Sequence, residues 1–189
     1  PYNARNHEYY SEDAVLTSGQ AVAFISGGKE YGVIIAPKHL AFNDTEINRT
    51  GVSVFMTEQQ ARENELRGTQ AAIEDAGALG VMTAFNRVGI TATNAHTGLL
   101  KNILRGEWGF KGLESQDFIM NPNYAVLKEY ALNGGTMTTF TGENTMAAVS
   151  EKFAYWTTEN VGQDTELMSA IKQAMKYLKE GEKVLLYPE

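Results

Sequence analysis

A lysine and a histidine side by side, Lys38 and His39, and an aspartate, Asp117, are the residues of this chain whose types could act on a polar substrate. An ionised Asp carboxylate can serve as a nucleophile, an ammonium or imidazole can hold hydroxyl groups, and a desolvated lysine can form a Schiff base with a carbonyl. The pair Phe85-Asn86 joins them, because all three places fall where a predicted β-strand ends. In α/β folds functional groups collect there, since the sheet fixes the loops that leave its C-terminal edge. The same residue types also have structural uses. An Asp after a strand often caps the next helix, a lone His is commonly a satisfied core imidazole, and a Lys can simply pair with a carboxylate. Pattern alone leaves both readings open.

The elements that must position these residues can be read from periodicity. Ser11-Glu12-Asp13 starts a helix over residues 14–25, with Gly27-Gly28 expected to end it. Residues 31–36 form a short apolar run rich in β-branched types, read as a buried parallel strand with Lys38 and His39 just beyond its end. After a polar loop over 43–53, Thr57-Glu58-Gln59-Gln60 has the capping-box form and opens a long helix to about Glu74. Residues 77–85 give a second strand. A loop through Asn94 then leads to a helix around 99–105, and 112–118 make a third strand carrying Asp117. A helix over 122–132, closed by Gly134-Gly135, precedes a fourth strand over 136–140. Helices over 145–156 and 164–179 follow, the second with Leu167, Ile171, Met175 and Leu178 at helical spacing. Strands alternating with helices predict an α/β chain with a parallel sheet.

Composition removes several function classes. The 189 residues are 43% apolar, ordinary for a globular protein, and 16 Lys and Arg against 23 Asp and Glu give a net charge of −7 without a basic stripe. Nucleic acid is therefore not an expected partner. There is no cysteine, and His7, His39 and His96 stand far apart, so neither disulfides nor a metal centre is expected. No apolar run approaches the roughly 20 residues of a membrane span, and Pro1-Tyr2-Asn3-Ala4-Arg5 has no signal-peptide character. Localisation stays open, leaning to the cytoplasm. An opening without Met, on a loop that enters a helix, gives the expectation of a fragment.

Four stretches, in order, resemble one family. The run from Lys38 through Leu40-Ala41-Phe42-Asn43-Asp44-Thr45-Glu46-Ile47-Asn48 to Arg49 resembles the Lys-His-Phe…Asn…Glu…Asn-Arg signature of glycoside hydrolase family 3, in its β-glucosidase-like branch. Arg5-Asn6-His7-Glu8 through Ser11-Glu12-Asp13 is similar to the family's Gly-Arg-x-x-Glu-x-x-Ser-Glu-Asp segment. Val81-Met82-Thr83-Ala84-Phe85-Asn86 resembles its Val-Met-x-Ser-Tyr-Asn strand, and Trp108-Gly109-Phe110-Lys111-Gly112 with Asp117-Phe118 its nucleophile strand. The resemblance implies roles. Asp117 would be the nucleophile that forms a covalent glycosyl-enzyme. Arg5, Lys38 and His39 would hydrogen-bond the terminal sugar, with Lys38 also keeping Asp117 ionised, and Phe85 would line the site without the hydroxyl of the usual Tyr. Glu8, Asn43, Glu46 and Arg49 would orient those groups from behind.

The same resemblance implies a fold: a partial (β/α)8 TIM-type barrel, about its second half, over residues 1–142, with a C-terminal helical extension over 143–189. A full barrel has eight strands in about 250 residues, so four here make half of one. Retention also needs a second carboxyl about 5.5 Å from the nucleophile, and no acid in the sequence matches one. Glu114 is out of pattern, being charged where the family strand is apolar. Strand alternation turns it away from Asp117, so it either lies at an exposed face or meets a basic partner the sequence does not single out. The expected activity is hydrolysis of terminal β-linked glucosides or oligosaccharides with no cofactor. Two rivals stand beside it: a non-catalytic half-barrel that binds sugar or associates with the missing part or a second copy, and a lyase using Lys38 as a Schiff-base amine.

Overall fold

The computed structural model of the chain describes residues 5–117 and 127–137. Helix α1 (Ala14–Glu30) begins where the Asp13 side chain accepts from the Leu16 N–H at 2.7 Å, which satisfies one of the free donors of the first turn. It does not stop at Gly27-Gly28 as expected. The helix runs through both glycines, and the chain turns at Gly32, whose φ of +70° suits a residue without Cβ. Gly28 serves packing instead, since a Cβ there would collide with Ile35.

Beyond α1 the chain forms β1 (Lys38–Leu40), β2 (Ser53–Val54), α2 (Glu58–Gln60), a π-turn (Ala61–Glu65) and α3 (Arg67–Glu74). Then come β3 (Gly80–Thr83), β4 (Arg87–Val88), β5 (Thr91–Ala92), a π-helix (Gly98–Glu107), β6 (Leu113–Gln116) and α4 (Leu127–Leu132). The capping box works as read, with the Thr57 side chain accepting from the Gln60 N–H at 3.2 Å. The helix it opens is interrupted by the π-turn.

The first strand is displaced from its expected position. Tyr31, Val33 and Ile34 are exposed, and the first ladder bond on this segment is from the Met82 N–H to the Pro37 carbonyl at 3.1 Å. Ile34 and Ala36 lie close to Gly80, and their β-branched, apolar composition reported an affinity for packing, not a register. Lys38 and His39 therefore stand within a strand, not after it.

The main sheet has the order β1-β3-β6, all parallel, with helical crossovers between successive strands. That is the α/β architecture read from the sequence. Its fourth predicted strand is represented by a parallel bridge from Met137 to Ser115. Residues 138–140 of that strand, the first part of the helix over 122–132, Phe118, and the helical extension over 143–189 lie outside the described residues.

A second sheet, β2-β4-β5, lies where the sequence predicts only loops. β4 and β5 form a hairpin turning at Gly89-Ile90, with Gly89 at φ +60°, as tight hairpins require. The core gathers Ile25, Leu40, Leu66, Val81, Leu100, Leu104, Trp108 and Phe110. α1 packs on α3 across Gly68, where a Cβ would meet Thr17 at 2.6 Å. The Lys29 ammonium donates to the Ala76 carbonyl at 2.7 Å, just beyond the C-terminal end of α3, where a cation is favoured. Among the described residues no helix is long and apolar enough to cross a membrane.

Candidate active site

The middle strand sets the site's frame. The Ala84 N–H donates to the Leu40 carbonyl at 2.8 Å on one side, and the Asp117 N–H donates to the Thr83 carbonyl at 3.2 Å on the other. His39, on β1, and Asp117, just after β6, face each other across β3. His39 Nε2 lies 3.3 Å from Asp117 Oδ2, with side chains only 4% and 10% exposed. A carboxylate and an imidazole in this arrangement are groups that can do nucleophilic or acid–base chemistry.

The other candidates assemble beside this pair in one chain of charges. Arg5 grips Glu8 with two hydrogen bonds, at 3.1 and 2.6 Å, and Lys38 Nζ lies 3.0 Å from the same carboxylate. Arg5 and then Lys38 hold the Glu8 carboxyl down to about 2, far below the usual range. Arg5 also reaches Glu46 at 3.7 Å, and its charge is felt by Asp117. Glu46 accepts from Asn43 at 3.1 Å and pairs with Arg49 at 3.1 Å. Arg49 in turn sits 4.6 Å above the Phe85 ring, a cation–π contact. All nine candidates, Arg5, Glu8, Lys38, His39, Asn43, Glu46, Arg49, Phe85 and Asp117, thus fall in one neighbourhood. The Lys38 ammonium is paired with Glu8, and His39 is in contact with Asp117.

Glu114 is corrected as well. It is 1% exposed, so it does not lie at a surface. Burial pushes its pKa up to about 8, against the opposing pull of Tyr130, the Arg105 guanidinium and Thr83. Burial thus favours its neutral form. Arg105, the basic neighbour the sequence did not reveal, donates to the carbonyls of Phe110, Gly112 and Gly134 at 3.2, 2.8 and 2.6 Å. Two more features escaped the sequence. The Tyr9 hydroxyl donates to the Asn43 carbonyl at 2.8 Å, and Asp44 and Glu65 line one cleft, where burial first and then Asp44 push the Glu65 carboxyl up to about 7. A cleft of about 720 Å³ runs from Glu8, Lys38 and His39 past Asn43 and Asp44 to Glu65 and Thr69.

With this geometry in view, comparison with known proteins gives one consistent result. Residues 1–134 match the model of the glycosyl hydrolase family 3 N terminal domain. The chain belongs to glycosyl hydrolase family 3. It is 39% identical over 118 residues to a probable beta-glucosidase J of Emericella nidulans, a match covering 62% of this chain and 14% of that protein. It is 40% identical over 116 residues to a beta-glucosidase of Rhizobium radiobacter, covering 61% and 14%. Among solved structures it resembles beta-glucosidase 3B from Thermotoga neapolitana, in complex with glycerol, at a TM-score of 0.68 and 31% identity, covering 96% of this chain and 23% of that one. DesR, a beta-glucosidase from Streptomyces venezuelae in complex with D-glucose, matches at a TM-score of 0.69 and 31% identity, over 76% and 18%. The family 3 chain thus spans about 14% of the length of these curated relatives.

Proposed function

We propose that this family 3 chain carries the nucleophile and sugar-binding part of a retaining β-glucosidase that releases terminal β-linked glucosyl units. The observation that carries the reading is the contact between His39 and Asp117 across β3, with the Arg5–Glu8–Lys38 ion network beside it. Asp117 attacks the anomeric carbon to give a covalent glycosyl-enzyme, which water then releases. Arg5, Lys38 and His39 donate to sugar hydroxyls, and Phe85, backed by Arg49, forms an apolar wall. The names and bound glucose of the relatives support this substrate class.

The acid/base carboxyl is assigned to none of the acids near the pair. Glu8 stays ionised between two cations, Glu46 is held by Arg49, Arg5 and Asn43, and Glu114 is sealed beneath β6. A general acid must be protonated and within reach of the leaving oxygen, so we assign that role to a residue outside the described ones. The three parallel strands with their crossover helices support a place in a (β/α)8 barrel. β1 pairs with β3 alone among the described strands, and Phe24, Tyr31, Val33 and Ile34 are exposed. This open edge favours the rest of the barrel or a second copy as partner, and it keeps a non-catalytic, sugar-binding half-barrel as the second reading.

The test is to incubate the chain with a chromogenic β-glucoside and, separately, a fluorinated mechanism-based glucoside, then measure intact and peptide mass. A glycosyl adduct on the Asp117 peptide supports the nucleophile assignment. A folded chain with neither turnover nor adduct supports the non-catalytic reading, and borohydride trapping on Lys38 would point to the lyase.

A further inference from the structure

Asp117 stands immediately after β6, so the direction of its carboxylate depends on how the end of that strand is held. The ladder contributes one bond there, from the Asp117 N–H to the Thr83 carbonyl at 3.2 Å. The preceding residue supplies another tie. Gln116 is 2% exposed, and its side-chain oxygen accepts from the Asn94 carboxamide at 2.7 Å. Asn94 belongs to a buried 3-10 turn (Thr93–Ala95) that is itself fastened to two further elements. The Thr93 N–H and hydroxyl both donate to the Asn86 carbonyl, at 3.1 and 2.7 Å, just past the end of β3. The Asn133 side chain, at the end of α4, donates to the Ala95 carbonyl at 3.0 Å. One turn thus joins the ends of β3, β6 and α4. Thr93, Asn94, Gln116 and Asn133 are each 9% exposed or less, so water competes little for these bonds.

We propose that Gln116 is a positioning residue for Asp117: bonded to Asn94, it staples the end of β6 to the turn over residues 93–95 and so fixes the direction in which the neighbouring carboxylate meets His39. The proposal rests on the reading of Asp117 as the nucleophile. The ladder bond at Asp117 fixes the spacing of β6 from β3, while the side-chain bond at Gln116 fixes the rotation of the strand's end about its own axis. Adjacent strand residues project to opposite faces, so the staple acts from the side away from the carboxylate and leaves its approach to a sugar open. A nucleophile must lie in line with the carbon it attacks, and small misplacements cost rate steeply. Sugar binding is assigned to Arg5, Lys38 and His39, so loss of the staple should slow attack and leave affinity in place. A buried amide pair could also serve stability alone. The two roles part when both amides are removed: one amide left behind is a buried group without its partner, whereas removing both restores stability without restoring a staple.

The experiment compares Gln116→Met, Asn94→Leu and the double variant with the wild-type chain. Thermal midpoint and glucose affinity are measured on each. Hydrogen exchange is read at the Asp117 amide, with the Leu113 amide, bonded to the Leu79 carbonyl at 2.8 Å at the other end of β6, as the control. The chemical readout is the rate at which a 2-fluoro glucoside with a dinitrophenyl leaving group labels Asp117; the Asp117 oxygen bonds to the anomeric carbon as dinitrophenolate departs, with no acid required. In each single variant the Asp117 amide should exchange about tenfold faster and labelling should slow about tenfold, with Leu113 exchange unchanged and glucose affinity within about twofold. In the double variant the thermal midpoint should recover while exchange and labelling do not. If Gln116→Met does not fold by circular dichroism, the double variant, which leaves neither amide behind, is read in its place. Unchanged Asp117 exchange, labelling at the wild-type rate, or recovery of both together with the midpoint overturns the proposal. A wild-type chain that is not labelled, with the exchange pattern as expected, counts against the glucosidase reading and leaves the staple standing.

Discussion

Held between Arg5 and Lys38, Glu8 keeps its charge down to about pH 2, and it also fixes where those two cations point. If Glu8 orients the proposed sugar ligands Arg5 and Lys38, Glu8→Gln should weaken glucose binding several-fold; glucose titration calorimetry would show it, and an unchanged affinity would remove Glu8 from the orienting set. Glu114 gives a prediction of opposite character. Its folded pKa of about 8 is above the ordinary 4.5, so the folded state binds the extra proton and its stability falls as pH rises from about 4.5 through about 8. Glu114→Gln should therefore melt higher than wild type at alkaline pH, with a smaller difference near the acid end. Thermal unfolding across that range checks it, and an identical pH slope in both proteins counts against the buried acid. At this scale the sequence was most informative where neighbours are consecutive, as with Lys38-His39. It said little where contact is made by folding, as between Tyr9 and Asn43 or Tyr130 and Glu114, because no spacing rule brings such residues together.

Elements were legible in kind more than in place. β3 was legible because its apolar run follows glycines and ends in Phe85, and β6, mostly polar, was legible through the motif that surrounds it, while β1 was expected too early because exposed Val33 and Ile34 have the same composition as a buried strand. The β4–β5 hairpin was passed over although Val88-Gly89-Ile90-Thr91 carried its signal: a glycine at the first turn position between β-branched residues. Packing between elements makes a sharper prediction than their boundaries. A Cβ at Gly112 would collide with the Leu79 backbone at the entry to β6, and backbone cannot swing aside as a side chain can. Gly112→Ala should cost about 2 kcal/mol or more, read as a fall in denaturant midpoint. Gly19, with open space around it, is the control: Gly19→Ala should stabilise α1 by up to about 1 kcal/mol.

For the whole molecule, the exposed Phe24, Tyr31, Val33 and Ile34 predict concentration-dependent association of the isolated chain. Sedimentation velocity should show it, and Ile34→Lys should diminish it by placing a charge among these exposed apolar residues. An ideal monomer at all concentrations would argue against that partner surface. The order β1-β3-β6 has a consequence of another sort. Neighbouring strands lie about 4.8 Å apart, so the backbones bearing His39 and Asp117 stand roughly two such steps apart, and an imidazole and a short carboxylate end to end fill the gap. β3 acts as a gauge block whose width neither residue can alter. Lengthening one jaw by a methylene, as in Asp117→Glu, leaves the carboxylate nowhere to go but sideways, and the longer acid should prove about as inactive as Asp117→Ala. Under the proposed function, variation in the sugars accepted is then free to arise in the loops, where reach is adjustable, while the spacing of His39 and Asp117 keeps a single calibre.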